Sequence, residues 1–94
     1  MTALLVVNLK VKNLEKLKQY SAQTPAIFQK FGGELVHKGK QELLFGGGDA
    51  RFDTTVVYRF ASRHAAKAWY DSVEYQALLP LRDEAMDSVF AIVD

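Results

Sequence analysis

Ala3 to Val11 is an apolar run rich in Leu and Val, broken only by Asn8 and Lys10, and its odd positions Leu5, Val7, Leu9 and Val11 would share one face of a first strand. Asn13 follows, with a side-chain oxygen suited to capping a helix that starts at Leu14. From there Leu14, Leu17, Tyr20 with Ser21, Thr24, Phe28 and Phe31 recur at helical spacing, while Lys16, Lys18 and Lys30 fall on other faces. Pro25 interrupts this pattern. It predicts either a kink or a second helix capped by Thr24, since proline lacks an N–H and clashes with the preceding turn. Gly32-Gly33 predicts the stop, because glycine tolerates the left-handed backbone of helix ends.

Glu34 to Lys38 and Gln41 to Phe45 read as one broken strand, with Gly39 as its bulge or turn. Gly46-Gly47-Gly48-Asp49 reads as a hairpin loop. Asp53 to Phe60 is the next strand, with Thr54, Val56, Tyr58 and Phe60 on one face and Thr55, Val57 and Arg59 on the other. Ser62 can cap a short helix carrying Ala65, Ala66, Ala68 and Trp69. Ser72 can cap another carrying Tyr75, Leu78, Leu79 and Arg82, bent or divided at Pro80. Ser88 to Val93 is the last strand.

The order β-α-β-β-α-β predicts one α+β domain over residues 1–94, a ferredoxin-like four-stranded antiparallel sheet with its helices on one face. The opposite face would carry Thr55, Val57 and alternate side chains of the outer strands. That surface is too apolar to leave in water, so a second copy of the chain is expected to cover it as a homodimer.

Composition narrows the partners. An apolar fraction of 49% with 24% charged residues is that of a globular chain, which rules out the low-hydrophobicity signature of disorder. There is no cysteine, so disulfides, zinc–thiolate sites and thiol nucleophiles are excluded together. Net charge is +1; residues 1–47 carry seven Lys and three acids, and residues 48–94 five basic residues and eight acids. Such mild asymmetry describes solvated faces and predicts no nucleic-acid partner. No stretch reaches the roughly 20 apolar residues of a membrane span, and the apolar start lacks a basic leader, so a cytoplasmic protein is expected.

The run Ala68-Trp69-Tyr70-Asp71-Ser72-Val73-Glu74-Tyr75-Gln76, continuing to Leu79-Pro80-Leu81-Arg82, closely resembles the signature segment of the domain-of-unknown-function family 1330, as does the helix end Phe31-Gly32-Gly33. The likeness runs over essentially the whole chain. That family is similar to the dimeric α+β barrels, in which two ferredoxin-like units place their sheets face to face. The resemblance implies a fold and a dimer but no single chemistry, since comparable grooves serve quinone-forming monooxygenases, haem-degrading enzymes, lactone isomerases and dehydratases. Set against the monooxygenases, Asn8, Trp69 and Tyr75 are loose matches. The helix histidine that ligates haem in related proteins has no counterpart among residues 73–86.

Established motifs are otherwise missing. Gly46-Gly47-Gly48 lacks the Lys-Ser/Thr pair and the helix of a phosphate loop. His37 and His64 lie on different elements, so no metal site and no cofactor is expected. Five residues remain as candidates. His37, titrating near neutrality, and Tyr75, with a polar tip, are the candidate acid–base groups. Asn8, a polar residue in an apolar strand, Trp69, the lone tryptophan, and Arg82, a guanidinium after an apolar run, are the candidate ligand contacts. Each also has a plain structural reading: a surface histidine, packed aromatics, a satisfied amide, an ion pair. If all five face one groove, the chain binds a small carboxylate- or carbonyl-bearing molecule between sheet and helices. The alternative is a non-catalytic stress-related or regulatory dimer module.

Overall fold

The computed structural model describes residues 2–46 and 52–94. The first strand, β1 (Ala3–Val11), leads into the helix α1 (Leu14–Lys30), followed by β2 (Glu34–Lys40) and β3 (Thr54–Phe60). Three short helices come next, α2 (Arg63–Asp71), α3 (Val73–Gln76) and α4 (Leu79–Ala85), before the last strand β4 (Met86–Val93). The sheet order is β2-β3-β1-β4, and every pairing is antiparallel. This is the ferredoxin-like α+β arrangement expected from the pattern. Among the described residues no helix is long and apolar enough to cross a membrane.

Side-chain period and local caps account for these elements. Ala3, Leu5, Val7 and Leu9 are buried beneath the helices while their even-numbered neighbours are not. The Asn13 side chain accepts the Lys16 N–H at 3.1 Å, Ser62 that of Ala65 at 3.1 Å, and Ser72 that of Tyr75 at 3.1 Å, so three helix starts are satisfied by the residues expected to do it. Pro25 breaks nothing: α1 runs unbroken through it, with Thr24 buried inside the helix rather than capping a new one. Packing of Tyr20, Thr24 and Phe28 onto the sheet outweighs one lost backbone bond.

Two local expectations are corrected. Gln41–Phe45 forms no strand; β2 ends at Lys40, and the Gln41 N–H bonds to the Asp53 carbonyl at 2.9 Å. The bulge lies at Val36, where the register shifts between Leu35 and His37, and not at Gly39, which pairs with Thr55. Pro80 does divide the last helical stretch, into α3 and α4, with Leu78 at the boundary. Gly47 to Asp49 of the expected loop lie outside the described residues.

Candidate functional site

The two faces of the sheet carry different chemistry, and register decides which residue lies where. On the uncovered face Asn8 stands between Thr55 and Val89, Val6 between Val57 and Ala91, and Leu4 between Arg59 and Val93. His37 pairs with Val57 and so belongs to this face as well. Asn8 is not free: its Oδ1 accepts from Thr55 Oγ1 at 2.7 Å and from Gln41 Nε2 at 2.9 Å, and Gln41 also donates to Thr55 at 3.0 Å. His37 is exposed.

Trp69, Tyr75 and Arg82 lie on the helix side. The five candidates therefore do not share a groove, which corrects the expectation of convergence. The reason is parity. Asn8 alternates with Val7 and Leu9, and the extra residue at Val36 turns His37 away from the side that Leu35 occupies.

Trp69 lies in the last turn of α2, wholly buried, stacked on Phe28 with centroids 4.5 Å apart and tilted against Tyr75 at 4.2 Å. Its indole N–H has no hydrogen-bond partner among the described residues. With no accessible surface it acts as a core anchor at the back of the site. Tyr75 is equally buried, and its hydroxyl meets that of Tyr20 at 2.7 Å. Burial pushes the Tyr20 phenol far above its ordinary value, and the Tyr75 phenol beside it adds to the effect. Burial raises Tyr75 too, against hydrogen bonds from Tyr20 and Arg82 that favour its charged form. Both phenols stay neutral at physiological pH.

Arg82 is the group that reaches open space. Helix α4 restarts at Leu79, so Tyr75 and Arg82 do not share one unbroken helical face: Tyr75 turns to Tyr20, and Arg82 turns to Tyr70. Arg82 Nη1 donates to the Tyr70 hydroxyl at 3.0 Å and Nε to Asp83 Oδ1 at 3.0 Å, while the guanidinium lies 5.1 Å from the centre of the Phe90 ring. Its side chain is 14% exposed against 66% for Asp83, so the ion pair runs from a half-enclosed cation to a solvated carboxylate. Partial burial opposes the charge on Arg82, but the hydrogen bonds with Tyr70 and Tyr75 prevail and hold its pKa above the usual value.

Around this guanidinium lies a cavity of about 620 Å³, walled by Trp69, Tyr70, Phe90 and Ile92 with Ser88, and rimmed by Arg63, Lys67 and Asp71. Arg63 is neutralised by a two-pronged pair with Asp94, both bonds 2.8 Å. A guanidinium has five N–H donors, and Tyr70, Asp83 and Tyr75 draw on three of them. The cavity thus combines aromatic walls, unused cationic donors and a volume in the range of small-molecule sites. Tyr70 and Phe90 were not singled out by the sequence. Phe90 was available from the alternation of β4; the Tyr70–Arg82 bond spans the α3–α4 break and has no local signal.

A four-stranded antiparallel sheet covered on one face by helices, with a cavity between sheet and helices, defines a ferredoxin-like α+β domain. The chain belongs to the family described as a domain of unknown function (DUF1330), whose model matches residues 2–94. Solved structures agree on the fold. A protein of unknown function from Rhodopseudomonas palustris is similar with a TM-score of 0.81 at 17% identity, over 98% of this chain and 80% of that one. A dimeric ferredoxin-like protein of unknown function from Jannaschia sp. CCS1 is similar at 0.70 and 10% identity, over 100% and 99%. SnoaB, a cofactor-independent oxygenase from Streptomyces nogalater, is similar at 0.70 and 11% identity, over 99% and 91%. None of the curated proteins matches the chain.

Proposed function

We propose that this chain is a ligand-binding homodimer in which the cavity around Arg82 takes a small, flat carboxylate- or carbonyl-bearing molecule. One observation carries the reading: a largely enclosed guanidinium, with donors to spare, set among Tyr70, Phe90 and Trp69 beside a cavity of about 620 Å³. An acceptor oxygen on the ligand meets Arg82, and the ring or chain behind it lies against Phe90 and Tyr70.

The dimer part rests on the uncovered sheet face, where Val6, Val57, Ala91, Val89 and Val93 stand together with no helix over them. The Jannaschia protein, dimeric on the same fold, supports it. The acid–base roles expected of His37 and Tyr75 are not carried forward: His37 is on the other face and Tyr75 is sealed against Tyr20. The cofactor-independent oxygenase from Streptomyces nogalater supports small-molecule chemistry on this fold, with the reacting groups here still to be assigned.

A specific observation also favours the rival reading, a regulatory module without a ligand: Arg82, Tyr70 and Asp83 already satisfy one another in part. Thermal-shift measurements with benzoate, short 2-oxo acids and quinones separate the two. Stabilisation by one class, about 2.7 kcal/mol at a hundred times Kd, supports the binding site. Absence of any shift with all three classes up to about 1 mM overturns it in favour of the module.

A further inference from the structure

Beneath α1 lies a second cavity of about 370 Å³, which shares only Phe90 with the lining of the Arg82 cavity. Its floor is Val7 and Val56, and its roof is Thr24, Pro25 and Phe28. The register places Leu35, Lys38 and Lys40 opposite Tyr58, Val56 and Thr54, so these three side chains of β2 reach over the helix side of the sheet and form the rim. Yet β2 is exposed along almost its whole length, because α1 packs over the rest of the sheet and stops short of this edge; Leu35 is 59% exposed.

We propose that this cavity is a second ligand site, for an amphipathic carboxylate with a flexible apolar body, such as a medium-chain acyl acid. The body lies on Val7 and Val56 beneath Phe28, and the carboxylate is held at the rim by Lys38 and Lys40. Charge complementarity singles out this occupant. Lys38 has no ion pair or hydrogen bond among the described residues. Among the described residues Lys40 has a 3.3 Å contact with the Thr54 hydroxyl and a 3.8 Å approach to Asp53. Lysines on an edge strand also guard against pairing with another sheet. That role accounts for the charges and leaves the apolar recess behind them unexplained. Ser21 and Thr24 add two hydroxyls to an otherwise apolar roof.

The test is titration of the full chain with sodium decanoate, read by calorimetry and by methyl NMR shifts, with the Lys38→Gln/Lys40→Gln double variant and Arg82→Ala alongside. The expected result is saturable binding that shifts Leu35 and Val56, weakens about tenfold in the lysine variant and is unchanged in Arg82→Ala. Both lysines are on the surface, so the double variant should melt with the wild type. The proposal is overturned by no saturation below about 1 mM, by equal affinity in the lysine variant, or by loss of binding in Arg82→Ala, which would place decanoate in the other cavity. Leu35 and Val56 shifts that follow protein concentration and ignore decanoate would also overturn it, because a second copy then covers the recess.

Discussion

The hydroxyls of Tyr20 on α1 and Tyr75 on α3 meet at 2.7 Å, and this contact ties the long helix to the short ones. Their rings are set edge to face with centroids 6.3 Å apart, and the Lys30–Glu74 ion pair ties the same two elements at the surface. Both phenols are buried, and the Tyr20 hydroxyl depends on Tyr75, whereas Tyr75 also has Arg82 beside it.

Removing both hydroxyls should therefore cost less than the two single losses added together. Tyr75→Phe strands the Tyr20 hydroxyl and should lower stability by about 1–3 kcal/mol, while Tyr20→Phe/Tyr75→Phe should lose less than the sum of the single changes. Urea melts of the three variants check this. Additive losses would show that the two hydroxyls do not depend on each other.

The same pair sets an alkaline limit. Both folded pKa values lie above the unfolded tyrosine value of about 10, so the unfolded chain gives up these protons first. The stabilisation is fully present below about pH 10 and is lost as pH rises from there toward the folded values. The melting temperature should be level through neutral pH and fall above about pH 10, and Tyr20→Phe should soften that fall. A wild-type profile flat to about pH 12 contradicts the assignment.

Arg82→Ala should be mild for the fold. The partner left behind, Asp83, is mostly in water, so its stranded carboxylate is solvated and the pair itself is worth about 0–1 kcal/mol. Lost contact with the Phe90 and Tyr70 rings adds about 0.5–2 kcal/mol. A total near 1–3 kcal/mol, with ligand-induced stabilisation abolished, is the expected outcome. A loss of about 3–5 kcal/mol would mark a buried ion pair instead.

Val57→Asp tests the uncovered sheet face. Val57 lies at the centre of the row His37–Val57–Val6–Ala91. Sedimentation of the wild type should give about 21 kDa, twice the 10.6 kDa chain, with more than roughly 1,200 Å² buried in total. The aspartate should yield a monomer or an unfolded chain, since an unpaired carboxylate is not buried cheaply. A wild type that stays monomeric at micromolar concentration removes the dimer.

How much of this was legible beforehand depends on whether the signal was local. The odd positions of β1 and the caps Asn13, Ser62 and Ser72 act within a few residues, and the structure keeps them all. Parity across the sheet was half legible. The alternation that buries Leu5, Val7 and Leu9 already places Asn8 on the other face, whereas His37 is turned there by a bulge at Val36 that only pairing with β3 determines. Gln41–Phe45 has strand-like composition and no partner strand among the described residues, and Leu44 and Phe45 are left in solvent. The Arg82–Tyr70 bond depends on where the chain breaks at Leu78, which helical phase counting across Pro80 cannot supply.

The helix end Phe31-Gly32-Gly33 yields a test in which two neighbouring glycines fail for different reasons. Gly32 has φ +75° and open space where a Cβ would go, so alanine there meets only the left-handed backbone cost, about 1 kcal/mol. Gly33 has no such backbone demand, but a Cβ would come within 2.8 Å of Phe60 Cζ and 2.9 Å of Phe28 Cδ1. Neither ring can retreat. Phe60 is fully buried against Ala3 and β1, and Phe28 is stacked between Tyr58 at 3.9 Å and Trp69 at 4.5 Å. Gly33→Ala should therefore cost about 1–3 kcal/mol through overpacking, and it should disturb the near-ultraviolet signal of Trp69 while Gly32→Ala leaves it intact. A Gly33→Ala protein that melts with the wild type and keeps that signal would mean that the aromatic stack yields, and with it the rigid back wall assigned to the Arg82 cavity.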